Sequence, residues 1–549
     1  MAERIPSDRP GTVVTVLREA ARVNGQVEAY VEPAGRAGRR SLTFAEWDRA
    51  ADGVAGYLAR RGVAKGDVVC LLLPSCIEYA VLYAALLRLG AITSGINPRM
   101  GAGEVVSIVE RAKPVLLVTD REAAPMPDAV AVAERAEVRS SWGGEPPREW
   151  PELAPHDPVA VVWTSGTTGK PKGAVFDHAN LAAVARGTDV LSQPGDRRLS
   201  PLPFAHVGYM TRAWDEIANA VTTIITPTPW RADDALRILA DERVTVAQGV
   251  PTQWALMLAS EELGRADLGA LRVAATGAAR MTASMVAEVR RRFRVPVVVR
   301  YTSTESSLGT GTTLASSDEE VATTVGRPVA GVELAIVDDE GRPVPAGSVG
   351  RVMLRSAATM RGYWGRGPGR GRTVDELLDA EATASVLAPD GWLTTGDFGR
   401  LTPEGNLQLS GRAHERYIRG GYNVYPAEVE DALSSHPGVA RVAVVGVPDE
   451  VLGEIGVAVV VAEAGAAPEL DALREHCSRT LSDYKAPDAL VVVDELPLTT
   501  MMKVDPGRLA AVAAQGAEER RSRLGRNRRP PSGVLGSGPI GEADEKERA

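Results

Sequence analysis

The stretch Val159-Ala160-Val161-Val162-Trp163-Thr164-Ser165-Gly166-Thr167-Thr168-Gly169-Lys170-Pro171-Lys172-Gly173 joins an apolar run to a polar, glycine-rich one. The apolar part predicts a buried strand. From Thr164 to Gly173 there are three glycines, four hydroxyl side chains and two lysines. Glycines let backbone N–H groups close on oxygen atoms, hydroxyls add donors and lysines add positive charge, so the loop suits a polyphosphate. A Walker loop needs Gly, four residues, then Gly-Lys-Ser/Thr. Counted from Gly166 the second Gly falls on Pro171, so this is a different phosphate loop. A flexible surface turn is the plain alternative for such a composition; the lysines and the buried strand favour the phosphate.

Working outward, 549 residues exceed what one compact core holds, so two or more domains are expected. An apolar content of 44% with 24% charged residues is ordinary for a globular protein. The net charge of -9 leaves no nucleic-acid footprint. Cys70, Cys76 and Cys477 make neither a disulfide framework nor a zinc site and suit a reducing compartment. Met1–Pro10 carries no apolar signal segment. The longest apolar stretch, Tyr79–Ile96, is interrupted by Arg88, Gly90 and Gly95 and reads as a buried helix followed by a strand, not a membrane span. A cytoplasmic protein is the expectation.

Helical and strand patterns alternate on either side of the loop. A helix is predicted around Ala45–Arg61 with Gly62 as its stop, a strand at Asp67–Leu73, a helix at Ile77–Leu89 and a strand at Val115–Thr119. The rhythm returns in strands at Arg197–Pro201, Thr222–Thr226, Val244–Gly249, Arg272–Thr276 and Pro296–Tyr301. Helices near Trp214–Ala220, Asp233–Asp241 and Thr282–Phe293 separate them. Such alternation implies an α/β fold with mostly parallel sheets covered by helices. Gly331–Arg355 reads as a β-rich subdomain. After Gly411 the pattern becomes a small α+β unit, with helices at Pro426–Ser435 and Glu469–Leu481 and strands at Val439–Val447, Gly456–Ala462 and Ala489–Val493. The expected organisation is a large domain over 1–410, a hinge at 411–414, a small mobile domain over 415–512 and a disordered tail over 513–549. The tail carries a basic cluster from Arg520 to Arg529, which reads as solvated charge or as a weak arm for an acidic partner or a membrane.

Ser165-Gly166-Thr167-Thr168-Gly169-Lys170-Pro171-Lys172-Gly173 resembles the signature of the adenylate-forming superfamily, which contains acyl-CoA synthetases, peptide-synthetase adenylation domains and luciferases. Five further segments match it in order: Thr276-Gly277-Ala278-Ala279, Tyr301-Thr302-Ser303-Thr304-Glu305, Trp392-Leu393-Thr394-Thr395-Gly396-Asp397, Gly411–Glu430 and Leu496–Lys503. The resemblance spans about residues 10–512.

It implies a fold, a reaction and roles. Thr164, Ser165, Gly166, Thr167, Thr168, Gly169 and Lys172 would hold the phosphates of ATP. Gly277 and Ala278 would lie against one face of adenine and the Tyr301 ring against the other. Thr304 would bind the α-phosphate, and Glu305 would hold Mg²⁺. Asp397 and Arg412 would meet the ribose. Gly420 and Gly421 would line a tunnel for the pantetheine of CoA, and His206 would open or close that path. Lys503 would stabilise charge developing as the acid carboxylate attacks the α-phosphorus. The implied activity is an AMP-forming acid–CoA ligase: an acyl-adenylate forms, then a thiol displaces AMP. In the superfamily the small domain rotates about the hinge between the two steps.

Three positions depart from the superfamily's pattern. Thr302 stands where most relatives have Gly and takes volume beside the acyl pocket, which favours a short, medium-chain or cyclic/aromatic acid. His414 replaces the usual hinge Asp or Lys, which would make the rotation respond to pH. Met502 replaces the usual Gly before Lys503. Alternative readings stay open. A stand-alone adenylating enzyme would pass the acyl group to a carrier protein, an amine or another acceptor, or would activate an unusual oxyacid. Ala205 follows Phe204 where amino-acid-activating relatives have Asp, which counts against an α-amino acid. A non-catalytic nucleotide sensor is disfavoured by Glu305 and Lys503, because a sensor needs affinity but no transition-state charge. The partners expected are a small carboxylic acid, ATP and CoA, with no nucleic acid and no membrane span; a homodimer is left open.

Overall fold

The computed structural model describes the chain except residues 1, 7–10, 36–37, 121–129, 165–170, 189, 278, 366–369, 413–416, 420–421, 450–451, 480, 500–502 and 528–549. The chain packs as two compact units. One is Met1–His414 with Leu498–Lys503, and the other is Glu415–Pro497 with Val504–Ala549.

Two large mixed sheets and one small antiparallel sheet build the first unit. The seven-stranded sheet runs in the order Gly362–Tyr363, Lys172–Asp177, Pro158–Thr164, Ile92–Gly95, Val68–Leu72, Leu116–Thr119, Ala131–Glu134. The strands from Pro158–Thr164 to Ala131–Glu134 pair in parallel, and Val68–Leu72 is buried throughout, as a run covered on both faces must be. The nine-stranded sheet has Arg197–Ser200, Val246–Gly249, Val273–Gly277 and Val297–Tyr301 at its parallel centre. Its far edge is the hairpin Glu28–Gly35/Gly38–Thr43.

The helices form where their ends and faces allow. Phe44–Arg60 starts on Thr43, whose side chain accepts from the Glu46 N–H while Glu46 Oε2 accepts from the Thr43 N–H at 2.9 Å. Such a cap is worth about 1 kcal/mol. Ile77–Leu89 is buried on every side and stops at Gly90, whose left-handed φ of 63° lets its N–H reach back to Leu86. Arg88, which interrupts that apolar run, is 1% exposed and pairs through its two terminal nitrogens with Asp48 and Asp52, each at 2.5 Å. Among the described residues no helix is long and apolar enough to cross a membrane.

The β-rich part is a four-stranded antiparallel sheet, Val332–Val337, Gly350–Ser356, Trp392–Leu401 and Leu407–Arg412. It therefore extends well beyond the expected Gly331–Arg355 and carries the Asp397 segment.

In the second unit, Gly453–Ala462 pairs antiparallel with Val439–Asp449 and parallel with Ala489–Val492, and helices Pro426–Ser434 and Leu470–Ser478 accompany this sheet. The expected disorder from residue 513 does not hold at its start, because a helix runs Pro506–Asn527. Leu509, Ala513 and Ala517 recur every four residues and are buried against Val457, Val459 and Ala489. Gly516 allows the close approach, since a Cβ there would lie 2.5 Å from Val491 Cγ2. The charged residues that follow are good helix formers and prolong the helix once it is docked. Residues 528–549 lie outside the described residues.

Candidate active site

The strands Pro158–Thr164 and Lys172–Asp177 are antiparallel neighbours, with Thr164 opposite Lys172 and Trp163 opposite Gly173. The candidate phosphate loop is thus flanked by two antiparallel strands, whereas a Walker loop leads into a helix. Trp163 Nε1 donates to Ser94 Oγ at 2.8 Å. Gly173 is required by the packing: a Cβ there would come within 2.5 Å of Val161 Cγ1 and 3.1 Å of the Trp163 ring. Ser165, Gly166, Thr167, Thr168 and Gly169 lie outside the described residues. Lys172 Nζ sits 5.0 Å from the centroid of the Tyr363 ring, a cation–π distance.

In the second sheet, Val273–Gly277 and Val297–Tyr301 run parallel with Gly277 beside Arg300. A Cβ on Gly277 would lie 2.8 Å from the Arg300 carbonyl oxygen, so the neighbouring strand itself demands glycine. Ala278 is outside the described residues. Tyr301 ends its strand and donates from Oη to Asp397 Oδ2 at 2.5 Å. Asp397 is 6% exposed and stands opposite Arg412 across antiparallel strands. The two adenosine candidates from separate sheets thus meet, and one carboxylate oxygen of Asp397 is already engaged by Tyr301.

Beyond Tyr301 the chain makes a turn knitted by its own hydroxyls. Ser303 and Ser306 exchange N–H to Oγ bonds at 2.9 and 3.1 Å, and the Thr302 hydroxyl lies 3.2 Å from Ser306 Oγ. The turn holds Thr304 and Glu305 half-buried. Among the described residues the Thr304 side chain makes no hydrogen bond, which suits a donor kept for phosphate. Glu305 Oε1 accepts from Tyr363 Oη at 2.8 Å. Burial, then the Glu305 carboxylate, hold the Tyr363 phenol far above its ordinary range, so it stays a donor. Among the described residues no group of three or more His, Cys, Asp or Glu side chains could hold a metal ion. One half-buried carboxylate that shares the Tyr363 side chain with Lys172 fits Mg²⁺ carried with nucleotide, since that ion takes one or two carboxylates plus substrate phosphates.

His206 caps the short helix Val207–Met210, its Nδ1 accepting from the Gly208 N–H at 3.1 Å. Behind it Phe204 stacks on Tyr209 at 3.7 Å, and the Tyr209 hydroxyl meets Tyr30 Oη at 3.0 Å. Burial, then the positive charge of Lys503, push the His206 imidazole down to about 4. The ring is therefore neutral near pH 7, with the proton on Nε2. Lys503 bonds back to Thr499: its carbonyl accepts from the Thr499 N–H at 2.6 Å and its N–H reaches Thr499 Oγ1 at 3.3 Å. Gly420, Gly421, the hinge residue His414 and Met502 lie outside the described residues, and Arg412 is described through its backbone register alone.

Sequence reasoning missed Tyr363. It lies 58 residues from Glu305 in a short Gly/aromatic segment, Arg361-Gly362-Tyr363-Trp364-Gly365, that carries no periodic signal. A model of the AMP-binding enzyme family matches residues 17–364, and one of the AMP-binding enzyme C-terminal domain matches residues 428–503. The chain belongs to the AMP-binding enzyme family. As an AMP-binding enzyme it is similar to the long-chain-fatty-acid–CoA ligase FadD13 of Mycobacterium tuberculosis, 32% identical over 509 residues that cover 89% of this chain and 96% of that one. It is also similar to the indoleacetate–CoA ligase of Aromatoleum aromaticum, 32% identical over 484 residues covering 85% and 92%. Among solved structures, ATP-bound MatB from Rhodopseudomonas palustris superposes with a TM-score of 0.79 at 27% identity, covering 91% of this chain and 98% of that one. The matched ranges of this AMP-binding enzyme contain Thr164, Lys172, His206, Gly277, Tyr301, Thr304, Glu305 and Tyr363 in the first and Lys503 in the second. Asp397 and Arg412 fall between them.

Proposed function

We propose that the protein is an ATP-dependent carboxylic acid–CoA ligase. It forms an acyl-adenylate from a short, medium-chain or cyclic/aromatic acid and then transfers the acyl group to CoA. The observation that carries this reading is the meeting of Tyr301, at the end of a strand in one sheet and three and four residues before Thr304 and Glu305, with Asp397 of another. A nucleotide clasped by that pair would present its phosphates toward the Thr304–Glu305 turn and the Lys172 hairpin. Two relatives named CoA ligases support the acceptor. Thr302, in place of Gly, supports the acid class.

In the first step a carboxylate oxygen of the acid attacks the α-phosphorus of ATP, the bond to the bridging oxygen breaks, and pyrophosphate leaves. Little covalent help is needed; charge and alignment decide the rate. Lys172 holds the phosphates, the Thr304 hydroxyl donates to the α-phosphate, and Lys503 meets the charge that develops there. Glu305 would hold Mg²⁺, which supplies charge neutralisation on the phosphates. In the second step the CoA sulfur attacks the acyl carbon and AMP departs as a far better leaving group than oxide. His206, neutral and carrying its proton on Nε2, borders the thiol's path as a hydrogen-bond donor and not as a base.

The test is ATP–pyrophosphate exchange over a panel of acids, followed by addition of CoA. Acid-dependent exchange and a CoA thioester are expected. Exchange without thioester, but with acyl transfer to a phosphopantetheinylated carrier protein, would replace CoA by the carrier. ADP and orthophosphate in place of AMP and pyrophosphate would overturn the adenylation itself.

A further inference from the structure

The segment Ala357–Trp364 joins the two sheets that carry the site. Its strand Gly362–Tyr363 lies at the edge of the seven-stranded sheet, with Tyr363 opposite Ala174 of the strand that begins at Lys172. The Arg361 N–H donates to the Val175 carbonyl at 2.8 Å and the Trp364 N–H to the Gly173 carbonyl at 2.7 Å. On the other side the Met360 N–H donates to the Glu305 carbonyl oxygen at 2.8 Å, and Tyr363 Oη donates to Glu305 Oε1 at 2.8 Å. Glu305 belongs to the turn that follows Val297–Tyr301 of the nine-stranded sheet. The segment is pinned at both ends. Asn180 Nδ2 donates to the Ala357 and Thr359 carbonyls, and the buried Trp364 indole donates to the Arg111 carbonyl at 3.1 Å.

One side chain therefore serves two groups of opposite charge. The face of the Tyr363 ring meets the Lys172 ammonium, and its hydroxyl meets the Glu305 carboxylate. Among the described residues no ion pair joins Lys172 to Glu305. A lysine and a carboxylate in direct contact would neutralise each other and would have to be separated before a phosphate or a metal could bind. The interposed ring keeps each charge satisfied without that contact. Fixing one carboxylate oxygen by a neutral donor also orients the other, which is how groups behind a metal ligand commonly act.

We propose that Tyr363 is a positioning residue that holds Glu305 and Lys172 at a fixed spacing, ready for metal-bound triphosphate. The proposal rests on the reading of Glu305 as the Mg²⁺ carboxylate and Lys172 as a phosphate lysine. Tyr363→Phe keeps the ring under Lys172 and removes the donor to Glu305; Tyr363→Leu removes both. Equilibrium binding of ATP to the full-length enzyme, without acid, is measured across a Mg²⁺ titration and again in EDTA. Melting temperature is recorded for each variant. Tyr363→Phe is expected to raise the half-saturating Mg²⁺ concentration about tenfold while leaving ATP binding in EDTA and the melting temperature near wild type. Tyr363→Leu is expected to weaken ATP binding in EDTA as well. In a Glu305→Gln background Tyr363→Phe is expected to add nothing, because the two changes remove one interaction. A Glu305→Gln variant with altered Mg²⁺ dependence beside a Tyr363→Phe variant without it would overturn the proposal alone. Full additivity of the two changes would do the same. A Glu305→Gln variant with unaltered Mg²⁺ dependence would overturn the metal reading of Glu305, and the proposal with it.

Discussion

The Tyr301 hydroxyl donates to Oδ2 of Asp397 across 2.5 Å, tying the end of a strand in the nine-stranded sheet to a strand of the four-stranded one. A hydrogen bond to a charged acceptor contributes about 1.5–3 kcal/mol, and here the acceptor is a buried carboxylate. If this pair is the adenosine clasp, Tyr301→Phe keeps the ring for stacking but removes its donor to the carboxylate. ATP affinity is expected to fall roughly tenfold, the equivalent of about 1.4 kcal/mol. Asp397→Ala, which also removes the ribose acceptor, is expected to cost more, and the double variant is expected to be less than additive. Calorimetric titration with ATP measures all three; wild-type affinity in Tyr301→Phe would remove Tyr301 from the clasp.

Lys503 offers a test that separates the two half-reactions. Loss of a donor aimed at developing transition-state charge costs about 10²–10³ in rate. Lys503→Ala is therefore expected to lower ATP–pyrophosphate exchange by at least that factor. Thiolysis of a supplied acyl-adenylate is expected to stay within about threefold, because the second step breaks no phosphorus bond. Equal loss of both steps would show that Lys503 supports the fold of the site and not the chemistry of adenylation.

The elements that were legible in the sequence share a cause: a local signal that tertiary packing does not contradict. Ile77–Leu89 stands where the apolar run and Gly90 place it, and Thr222–Ile225, Ala232–Asp241 and Ala283–Phe293 each differ from their expected bounds by one residue. The hairpin Glu28–Gly35/Gly38–Thr43 was not read, because as a sheet edge with Arg39 and Arg40 on one arm it lacks an apolar alternation. The helix to Asn527 was not read because its charged half hides a docking stripe only three residues long. Within the site, contiguous motifs were visible as strings, but their meeting was not. Tyr301 and Asp397 are 96 residues apart, and Glu305 and Tyr363 are 58 apart. Periodicity carries no information across such separations; the sheet order does.

Gly277 shows how fold and site constrain the same atom. Its missing side chain was expected to make room for adenine, yet the nearest obstacle to a Cβ is the Arg300 carbonyl of the adjacent strand, 2.8 Å away. A backbone oxygen cannot swing aside as a side chain end can. Gly277→Ala is expected to spread the two strands at a cost of about 1–3 kcal/mol, in line with overpacking elsewhere. The melting temperature of the first unit is expected to drop by a few degrees, and ATP affinity is expected to fall with it because Tyr301 lies next to Arg300. Scanning calorimetry with and without ATP checks both effects; an unaltered melting temperature would mean the strands separate at no cost.

His178 sets an acid limit on the larger unit. It is 1% exposed, and its Nδ1 accepts from the Val13 N–H at 3.3 Å, which fixes the neutral form with the proton on Nε2. Burial lowers its pKa from 6.5 to about 4; Asp157 and Asp177 oppose the shift and Lys65 adds to it. Above pH 6.5 the folded and unfolded chains both hold this imidazole neutral, so it contributes no slope. Between 6.5 and about 4 the unfolded chain binds the extra proton, so stability falls as pH falls through that window. Below about 4 both states are protonated and the slope ends. The separation amounts to roughly 3 kcal/mol at most, taking about 1.4 kcal/mol per pH unit. His206, held at about 4 as well, acts in the same direction, so the comparison must be between proteins and not between pH values alone. His178→Gln keeps an acceptor for the Val13 N–H and does not titrate. Its urea midpoint is expected to fall less steeply than that of the wild type from pH 7 to 4.5. Parallel curves for the two proteins would mean that His178 finds room to protonate in the folded state.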